Sequence, residues 1–227
     1  MSYRIAVIGG TGPQGKGLGY RFAKHGHDVF LGSRSAERAV PVAEEVTARL
    51  SDVSGAGTVA GLANADACEA ADVVLLAVPY DGHDDLVSSL AGALAGKTVI
   101  SCVNPLAFDK RGAHGQVIDA GEGSAAESAQ RLAPDAVVVG AFHNVSAVLL
   151  WGDDEYLDED VLCVGDSDEG KEVAMELATA VTGRRGISAG KLRLARQLEP
   201  FTAVLISINR KYKAHSGLRI TGLPDGD

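Results

Sequence analysis

A run of apolar residues near the start of the chain breaks into glycines, and a helix-forming segment follows. The run covers residues 3–8 and has the composition of a buried strand. Gly10, Gly12 and Gly15 then fall at the spacing G-x-G-x-x-G. In this spacing the first glycine permits a tight turn, the second lets a pyrophosphate approach the backbone, and the third permits close packing of helix on strand. Glycines also occur in ordinary turns, but here their place between a strand and a helix predicts a dinucleotide-binding unit.

The composition limits the number of domains and the class of partner. The chain has 227 residues, of which 28 are glycine, 46% are hydrophobic and 5% are aromatic. These values fit one Ala/Val/Gly-rich α/β domain, alone or with a small appendage. A net charge of −9 argues against general affinity for nucleic acid, so phosphate binding must be local.

The cysteine spacing and the lengths of the apolar runs indicate the cellular compartment. Cys68, Cys102 and Cys163 have no metal-ligand or C-x-x-C spacing, which predicts reduced, structural thiols. The sequence shows no charged leader followed by an apolar segment, and no apolar run of the ~18 residues that a membrane span needs. We therefore expect a cytoplasmic enzyme with neither a membrane nor a nucleic-acid partner.

Strand-like and helix-like segments alternate along most of the chain. This alternation predicts βαβ units with right-handed crossovers and hence an α/β fold, a Rossmann-type doubly wound and mainly parallel sheet. Ligands of such sheets collect beyond the carboxyl ends of the strands, so the residues that follow each strand are the candidates for a site. The predicted strands after the first cover residues 28–31, 58–60, 72–78, 97–102, 136–140 and 161–164.

The second predicted strand ends without an acidic residue. A fold of this kind that prefers NAD places Asp or Glu here to hold the ribose 2′-hydroxyl, whereas a cation accommodates a 2′-phosphate. Ser33 supplies a hydroxyl, and Arg34 and Arg38 supply two guanidinium groups on one face if a helix starts near residue 35. The pattern predicts NADP binding. The alternative is a solvated arginine pair that forms ion pairs with Glu37 or Glu44.

Three further strand ends carry candidate residues. Tyr80 follows the fourth strand and either packs on adenine or ribose or lies idle at the rim. Asn104 and Leu106 follow the fifth strand and are expected near the nicotinamide half. His143 follows the strand over residues 136–140, where it either orients a carbonyl, transfers a proton or simply makes a hydrogen bond.

Acidic residues cluster after the fourth strand, but only their composition resembles a metal site. Asp81, His83, Asp84 and Asp85 are expected to complement the positive end of the helix that follows. No metal site is predicted. No pair of nucleophile and base is evident elsewhere in the sequence.

The second half of the chain changes character towards its end. Residues 108–123 are predicted to form a mobile loop, and residues 151–160 a solvated acidic segment. Residues 185–188 suit an edge strand. Residues 190–213 predict one long amphipathic helix, kinked at Pro200, which closes the cleft or forms a dimer face. Its basic end either meets an anionic ligand or complements the helix dipole, through Arg210, Lys211 and Lys213.

Five motifs together resemble those of the F420-dependent NADP oxidoreductases, 8-hydroxy-5-deazaflavin enzymes of archaea and actinobacteria. The motifs span almost the whole chain, and the last one is similar to the actinobacterial branch. They are Gly9-Gly10-Thr11-Gly12-Pro13-Gln14-Gly15, Gly32-Ser33-Arg34 with Arg38, Ala141-Phe142-His143-Asn144, Gly165-Asp166, and Ile208-Asn209-Arg210-Lys211-Tyr212-Lys213-Ala214-His215-Ser216-Gly217.

The resemblance implies an activity and an organisation. It implies reversible hydride transfer between C4 of the nicotinamide of NADP(H) and C5 of coenzyme F420, with the two rings stacked in one cleft. It also implies an NADP-binding Rossmann domain over residues 1–188, a C-terminal helical segment over residues 189–227, and a homodimer. Such a transfer needs apposition of the rings and exclusion of water rather than a nucleophile or a metal.

The resemblance also implies the site residues. The deazaflavin is expected near Asn104, His143 and the C-terminal helix. Some relatives have lysine where this chain has Arg38, which keeps the charge but changes its geometry. With Gly10 from the glycine motif, the positions expected to contact NADP are Gly10, Thr11, Gly12, Pro13, Gln14, Ser33, Arg34, Arg38, Tyr80, Leu106 and Ala147. Two alternative functions stay open, an NADP-dependent imine or hydroxy-acid reductase and a non-catalytic NADP(H)-binding redox sensor.

Overall fold

The computed structural model describes residues 2–116, 118 and 123–223 of the chain. Within this part, the strands are β1 (Arg4–Ile8), β2 (Asp28–Ser33), β3 (Val59–Ala63), β4 (Val73–Leu76), β5 (Thr98–Ser101), β6 (Leu106–Asp109), β7 (Gly112–Gly115), β8 (Val137–Gly140), β9 (Leu162–Gly165) and β10 (Ile187–Ser188). The helices are α1 (Pro13–Lys24), α2 (Ala36–Arg49), α3 (Asn64–Ala70), α4 (His83–Leu94), α5 (Ala125–Leu132), α6 (Ala147–Leu150), α7 (Asp168–Thr182) and α8 (Ala195–Tyr212), with a 3-10 turn at Leu192–Leu194.

Eight of these strands form one sheet in the order β10-β9-β8-β5-β4-β1-β2-β3. Six neighbouring strands of this sheet run parallel to one another, namely β8, β5, β4, β1, β2 and β3. The strand β9 runs antiparallel to β8, and β10 runs parallel to β9 at the edge. Because β1 lies between β2 and β4, the chain winds outward from β1 in both directions. The predicted doubly wound and mainly parallel sheet is confirmed, and its switch point is at the carboxyl ends of β1 and β4.

Both faces of the sheet are covered, which explains why its strands are apolar without alternation. Ile5 and Val7 of β1 face a core layer beneath α1, α2 and α7. Ala6 and Ile8 face a second layer beneath α3, α4 and α5. All four side chains are fully buried. The sheet is therefore a rigid platform whose open edge lies at the carboxyl ends of the strands.

Part of the segment predicted as a mobile loop forms a hairpin. β6 and β7 form an antiparallel hairpin in which Leu106 pairs with Gly115 and Asp109 pairs with Gly112. The Asp109 carboxylate closes the turn by accepting hydrogen bonds from the backbone N–H groups of Arg111 and Gly112, at 2.7 and 3.1 Å. The loop prediction is thus wrong for the hairpin, and residues 117 and 119–122 lie outside the described part.

The acidic segment over residues 151–160 is not simply a solvated surface. Leu157 and Glu159 are buried, and the Leu157 N–H donates to the Val181 carbonyl at 2.8 Å. The C-terminal residues pack on this segment, since the Asp160 N–H donates to the Leu218 carbonyl at 2.7 Å. The prediction missed this because the acids on either side of Leu157 dominate the local composition.

The long C-terminal helix starts later than predicted. The helix α8 begins at Ala195, and the 3-10 turn occupies part of the predicted span. Its buried Glu199 carboxylate accepts hydrogen bonds from the N–H groups of Ala125 and Ala126, at 2.9 and 3.0 Å. Because these donors open α5, the carboxylate caps that helix from outside and fixes α8 against the sheet domain.

Candidate functional site

The glycine-rich turn links the carboxyl end of β1 to α1, and its glycines are required for different reasons. Gly9 has a φ of +83°, a backbone conformation that residues with a side chain rarely adopt. A Cβ on Gly10 would lie 2.8 Å from the Val7 carbonyl oxygen. The left-handed position of the turn is therefore Gly9, which directly precedes the motif, and Gly10 is required by packing on the strand.

Gly12 and Gly15 differ in the space around them. A Cβ on Gly15 would lie 2.6 Å from the Gly9 carbonyl oxygen, which α1 packs against. A Cβ on Gly12 would meet the same oxygen at 3.4 Å, an ordinary contact. The protein itself does not need glycine at Gly12, so the open space there is available to a ligand.

The first turn of α1 faces this open space. Gly12 is its N-cap and provides no side-chain hydrogen bond, and Pro13 occupies the first helical position. Proline lacks an N–H group, so the donors at this end of the helix belong to Gln14 and Gly15. Uncapped donors at a helix N-terminus favour an anion such as a pyrophosphate.

A groove of about 480 Å³ runs from this turn across the carboxyl ends of β2 and β4. It brings together five of the predicted cofactor-binding residues, namely Thr11, Gly12, Ser33, Arg34 and Arg38. The other lining residues are Gly9, Asn64, Ala77, Val78, Pro79, Asp81, Gly82 and Leu86. The groove thus joins the open helix N-terminus to the arginine pair.

Arg34 and Arg38 are exposed at the far end of the groove. The helix α2 begins at Ala36 after the N-cap Ser35, so Arg38 lies in its first turn, as the predicted helix start requires. Within the described part of the chain neither guanidinium group forms an ion pair. Glu37 instead hydrogen-bonds Ser35, which lowers the pKa of its carboxyl group. The alternative pairing with Glu37 or Glu44 is therefore not observed.

Asn64 is a groove residue that the sequence reasoning missed. Its side-chain Oδ1 is buried and accepts no hydrogen bond from the described residues. The signal was available, because β3 extends to Ala63 and Asn64 directly follows a strand end. Ending this strand at residue 60 placed Asn64 away from the sheet edge.

The predicted deazaflavin-side residues meet at the ends of β5 and β8. The Asn104 Nδ2 group donates to the His143 carbonyl oxygen at 2.7 Å, and the Thr202 hydroxyl of α8 donates to the same oxygen at 2.9 Å. Asn144 in turn donates to the Thr202 hydroxyl at 3.0 Å. This end of the sheet is thereby fastened to α8.

The His143 imidazole is buried and has no hydrogen-bond partner on either ring nitrogen among the described residues. Its Cε1 atom lies 3.0 Å from the position that a Cβ on Gly140 would take. Burial lowers the pKa of His143 to about 4. The ring is therefore neutral near pH 7. The hydrogen bonds that join His143 to Asn104 and to α8 are made by its backbone carbonyl oxygen, not by the ring.

The remaining predicted residues lie outside the lining of the groove. Tyr80 stacks on His83, with ring centroids 6.1 Å apart. Leu106 begins β6 and Ala147 begins α6.

The acidic cluster and the cysteines have structural surroundings. Asp84 and Asp85 lie in the first turn of α4, as predicted for complementing its dipole. In the residues that the structure covers, no three His, Cys, Asp or Glu side chains are arranged to hold a metal ion. The thiols are free and buried, and burial raises the pKa to about 11 for Cys68 and to about 12 for Cys102 and Cys163. The helices described here include none with the length and apolar character to cross a membrane.

Comparison with known proteins identifies the family. The family model described as NADP oxidoreductase coenzyme F420-dependent matches residues 4–105. A curated F420-dependent NADP reductase of Methanothermobacter thermautotrophicus is 40% identical, over 99% of this chain and 97% of that protein. Another, of Methanocaldococcus jannaschii, is 37% identical over 97% and 99%. A solved structure from Arthrobacter sp., named as a candidate F420-dependent NADP-reductase, matches with a TM-score of 0.78 at 26% identity, over 97% of this chain and 100% of that one. Since the curated relatives match over almost the full length of both chains, this chain belongs to the family of F420-dependent NADP reductases.

Proposed function

We propose that this chain catalyses reversible hydride transfer between NADPH and coenzyme F420. The observation that carries the proposal is the groove that joins the open backbone at Gly12 to Arg34 and Arg38, which form no ion pair with the residues that the structure covers. This groove offers two sites for anions, one at the N-terminus of α1 and one formed by the arginines at the end of β2. The chain also belongs to the family of F420-dependent NADP reductases.

The residues of the groove hold the adenosine side of NADPH. The backbone donors of Gln14 and Gly15 bind the pyrophosphate, which approaches over Gly12. Arg34 and Arg38, with the Ser33 hydroxyl, bind the 2′-phosphate, because planar guanidinium groups match phosphate oxygens. The buried Oδ1 of Asn64 accepts a hydrogen bond from a hydroxyl or amino group of the adenosine, which satisfies an acceptor that has no partner among the described residues.

The rings lie beyond β5 and β8, near Asn104, Leu106, His143 and Ala147. When bound, the two coenzymes supply the hydride donor and the hydride acceptor. The chain's residues supply position and exclude water, since hydride transfer depends on apposition of the rings. His143 serves through its backbone carbonyl oxygen, which accepts hydrogen bonds from Asn104 and Thr202, while its buried ring stays neutral.

The C-terminal helix covers the ring end and contributes to a homodimer. Residues 1–188 form the NADP-binding domain and residues 189–227 the helical segment. Val204, Ile208 and Tyr212 are exposed at intervals of four residues along α8, which makes an apolar stripe suited to a second copy. Sedimentation equilibrium of the wild type and of Val204→Glu tests this, and a monomeric wild type would contradict the dimer. The cytoplasm is the proposed location.

The test is a spectrophotometric assay with oxidised F420 and either NADPH or NADH as donor. Loss of deazaflavin absorbance with NADPH, and much less with NADH, is the expected result. Absence of any loss while NADPH still binds would overturn the proposal and leave an imine or hydroxy-acid reductase, or a redox sensor. The reverse reaction, from reduced F420 to NADP, provides the internal check of reversibility.

A further inference from the structure

A second groove, of about 710 Å³, lies between α5 and the 3-10 turn and is rich in cations. Arg131, Lys191 and Arg193 line it, and Arg196 lies at its border through an ion pair with Glu127. The chain as a whole is acidic, with 30 Asp and Glu against 21 Lys and Arg. Against Glu127 and Asp166, which also line the groove, these four cations leave a local excess of positive charge that contrasts with the rest of the surface and favours an anionic ligand.

Of the two acids that line this groove, Glu127 is engaged within the protein. The Glu127 carboxylate accepts two hydrogen bonds of 2.7 Å from Arg196 and one of 2.9 Å from the Ser124 hydroxyl. The Asp166 carboxylate accepts a longer bond of 3.4 Å from the Leu192 N–H. Neither Lys191 nor Arg193 forms an ion pair with any residue of the described part, so their charges are available to a ligand.

The cationic groove is next to the ring end of the proposed active site. A smaller cavity, of about 210 Å³, is lined by Pro105, Gln116, Arg196 and Pro200 among others. Pro105 follows Asn104 directly. Arg196 lines this cavity while its partner Glu127 lines the cationic groove, so the ion pair is the boundary between the two spaces.

We propose that the cationic groove binds the polyanionic tail of the deazaflavin coenzyme, a phosphodiester followed by glutamate residues. The inference rests on the proposed function, because it requires the ring to lie near Asn104. From there the tail passes over Pro105 and Arg196 and reaches Arg131, Lys191 and Arg193. Guanidinium groups bind carboxylates in a bidentate geometry, and the ammonium of Lys191 adds a point charge.

The test is an equilibrium titration that follows deazaflavin fluorescence and needs no turnover. It compares the full coenzyme with the tail-less deazaflavin that carries the ribityl chain alone. The variant is Lys191→Gln with Arg193→Gln, in which both exposed side chains lose their charge. The matched control is Arg4→Gln with Arg219→Gln, which changes the net charge equally at exposed positions outside the groove.

Wild type is expected to bind the full coenzyme more tightly than the tail-less one, and added salt should reduce the difference. In the groove variant the Kd of the full coenzyme rises about tenfold, as expected for two partly screened charge pairs. Its Kd for the tail-less compound and for NADPH stays unchanged, and the control variant behaves as wild type.

Equal affinity of wild type for the two compounds would overturn the tail site. So would an unchanged Kd in the groove variant, or an equal loss in the control, which would indicate a long-range charge effect. If wild type bound neither deazaflavin, the proposed function itself would fall. Single substitution of Arg193→Gln, expected to give about a threefold loss, keeps the test decisive if the double variant unfolds.

Discussion

The Arg21 side chain of α1 donates from Nε to the Leu150 carbonyl oxygen at 2.8 Å, at the end of α6. Its guanidinium group is completely buried and also donates to the carbonyl oxygens of Leu149, Asp154 and Glu155, at 3.0, 2.6 and 2.9 Å. A cation is favoured at this place because the last carbonyls of a helix lack partners. Since α1 begins at the glycine turn and α6 begins at Ala147, Arg21 fixes one end of the proposed site relative to the other.

Replacement of Arg21 by Met is expected to lower the free energy of unfolding by about 3 kcal/mol or more. The change leaves several carbonyl oxygens without donors, at ~1–3 kcal/mol for each one that stays buried. Urea unfolding followed by circular dichroism measures the loss. Arg49→Met is the control, because Arg49 binds the same loop through the Gly152 carbonyl and Asp153 at the surface. Equal losses in the two variants would refute the role given to the buried guanidinium.

The glycines of the turn provide a prediction that separates folding from binding. Gly15→Ala is expected to destabilise the protein by about 1–3 kcal/mol, because its Cβ would lie 2.6 Å from the Gly9 carbonyl oxygen. Gly12→Ala has room for its Cβ and should unfold like wild type, yet it should lose NADPH affinity as the methyl group meets the pyrophosphate. Thermal melts and NADPH titrations measure the two effects. A Gly12→Ala protein with wild-type affinity would contradict the pyrophosphate site.

The sequence predicted the features that depend on local pattern and on strand order. The glycine spacing and the apolar strands predicted the sheet, and the rule that ligands gather at strand ends brought Ser33, Arg34 and Arg38 to one groove. The same rule selects Asn64, but the predicted third strand ended at residue 60, three residues before its observed end at Ala63, so Asn64 was not predicted as a site residue.

Other features could not be predicted because they depend on contacts between distant segments. Glu199 caps a helix that begins 74 residues earlier, and Arg21 binds a loop about 130 residues later. Neither position differs in sequence from an ordinary charged residue on an amphipathic helix. The hairpin of β6 and β7 was also missed, since four-residue strands around Gly112 lack a periodic signal.

Removal of the arginine pair should change the choice between NADPH and NADH. Arg34→Ala and Arg38→Ala should each weaken NADPH binding by about 1.5–3 kcal/mol, the range for a hydrogen bond to a charged group. NADH binding should stay nearly unchanged, because NADH has no 2′-phosphate. Parallel titrations with both nucleotides measure the difference. An equal loss for both would argue that the arginines support the fold or the pyrophosphate instead.

The buried Glu199 should make stability depend on pH. Burial raises the pKa of Glu199 to about 7, although the Ala125 and Ala126 N–H donors oppose the shift. The folded protein then binds more protons than the unfolded chain between pH 4.5 and 7. The contribution of Glu199 to the free energy of unfolding is therefore complete below pH 4.5, and about 3 kcal/mol of it is lost as the pH rises through 7.

Glu199→Gln isolates this contribution, because the amide does not titrate. The difference in unfolding free energy, wild type minus variant, is expected to fall between pH 5 and pH 8. Glu159, whose pKa burial also raises to about 7, is present in both proteins and cancels in the difference. A difference independent of pH would show that the Glu199 carboxyl group keeps its ordinary pKa.

His143 provides the opposite dependence on pH and a limit on the mechanism. Burial lowers its pKa to about 4, so between pH 4 and 6.5 the unfolded chain binds the proton and the folded protein does not. Its contribution to stability is therefore full above pH 6.5 and is lost as the pH falls through 4, by about 3 kcal/mol. His143→Gln should remove this dependence. In NMR the chemical shift of the His143 Cε1 proton should not change between pH 8 and pH 5. The rate of hydride transfer over the same range should show no step that reports ionisation of this residue. A midpoint near pH 6.5 in the protein without coenzymes would contradict the neutral, buried ring and restore proton transfer as its role.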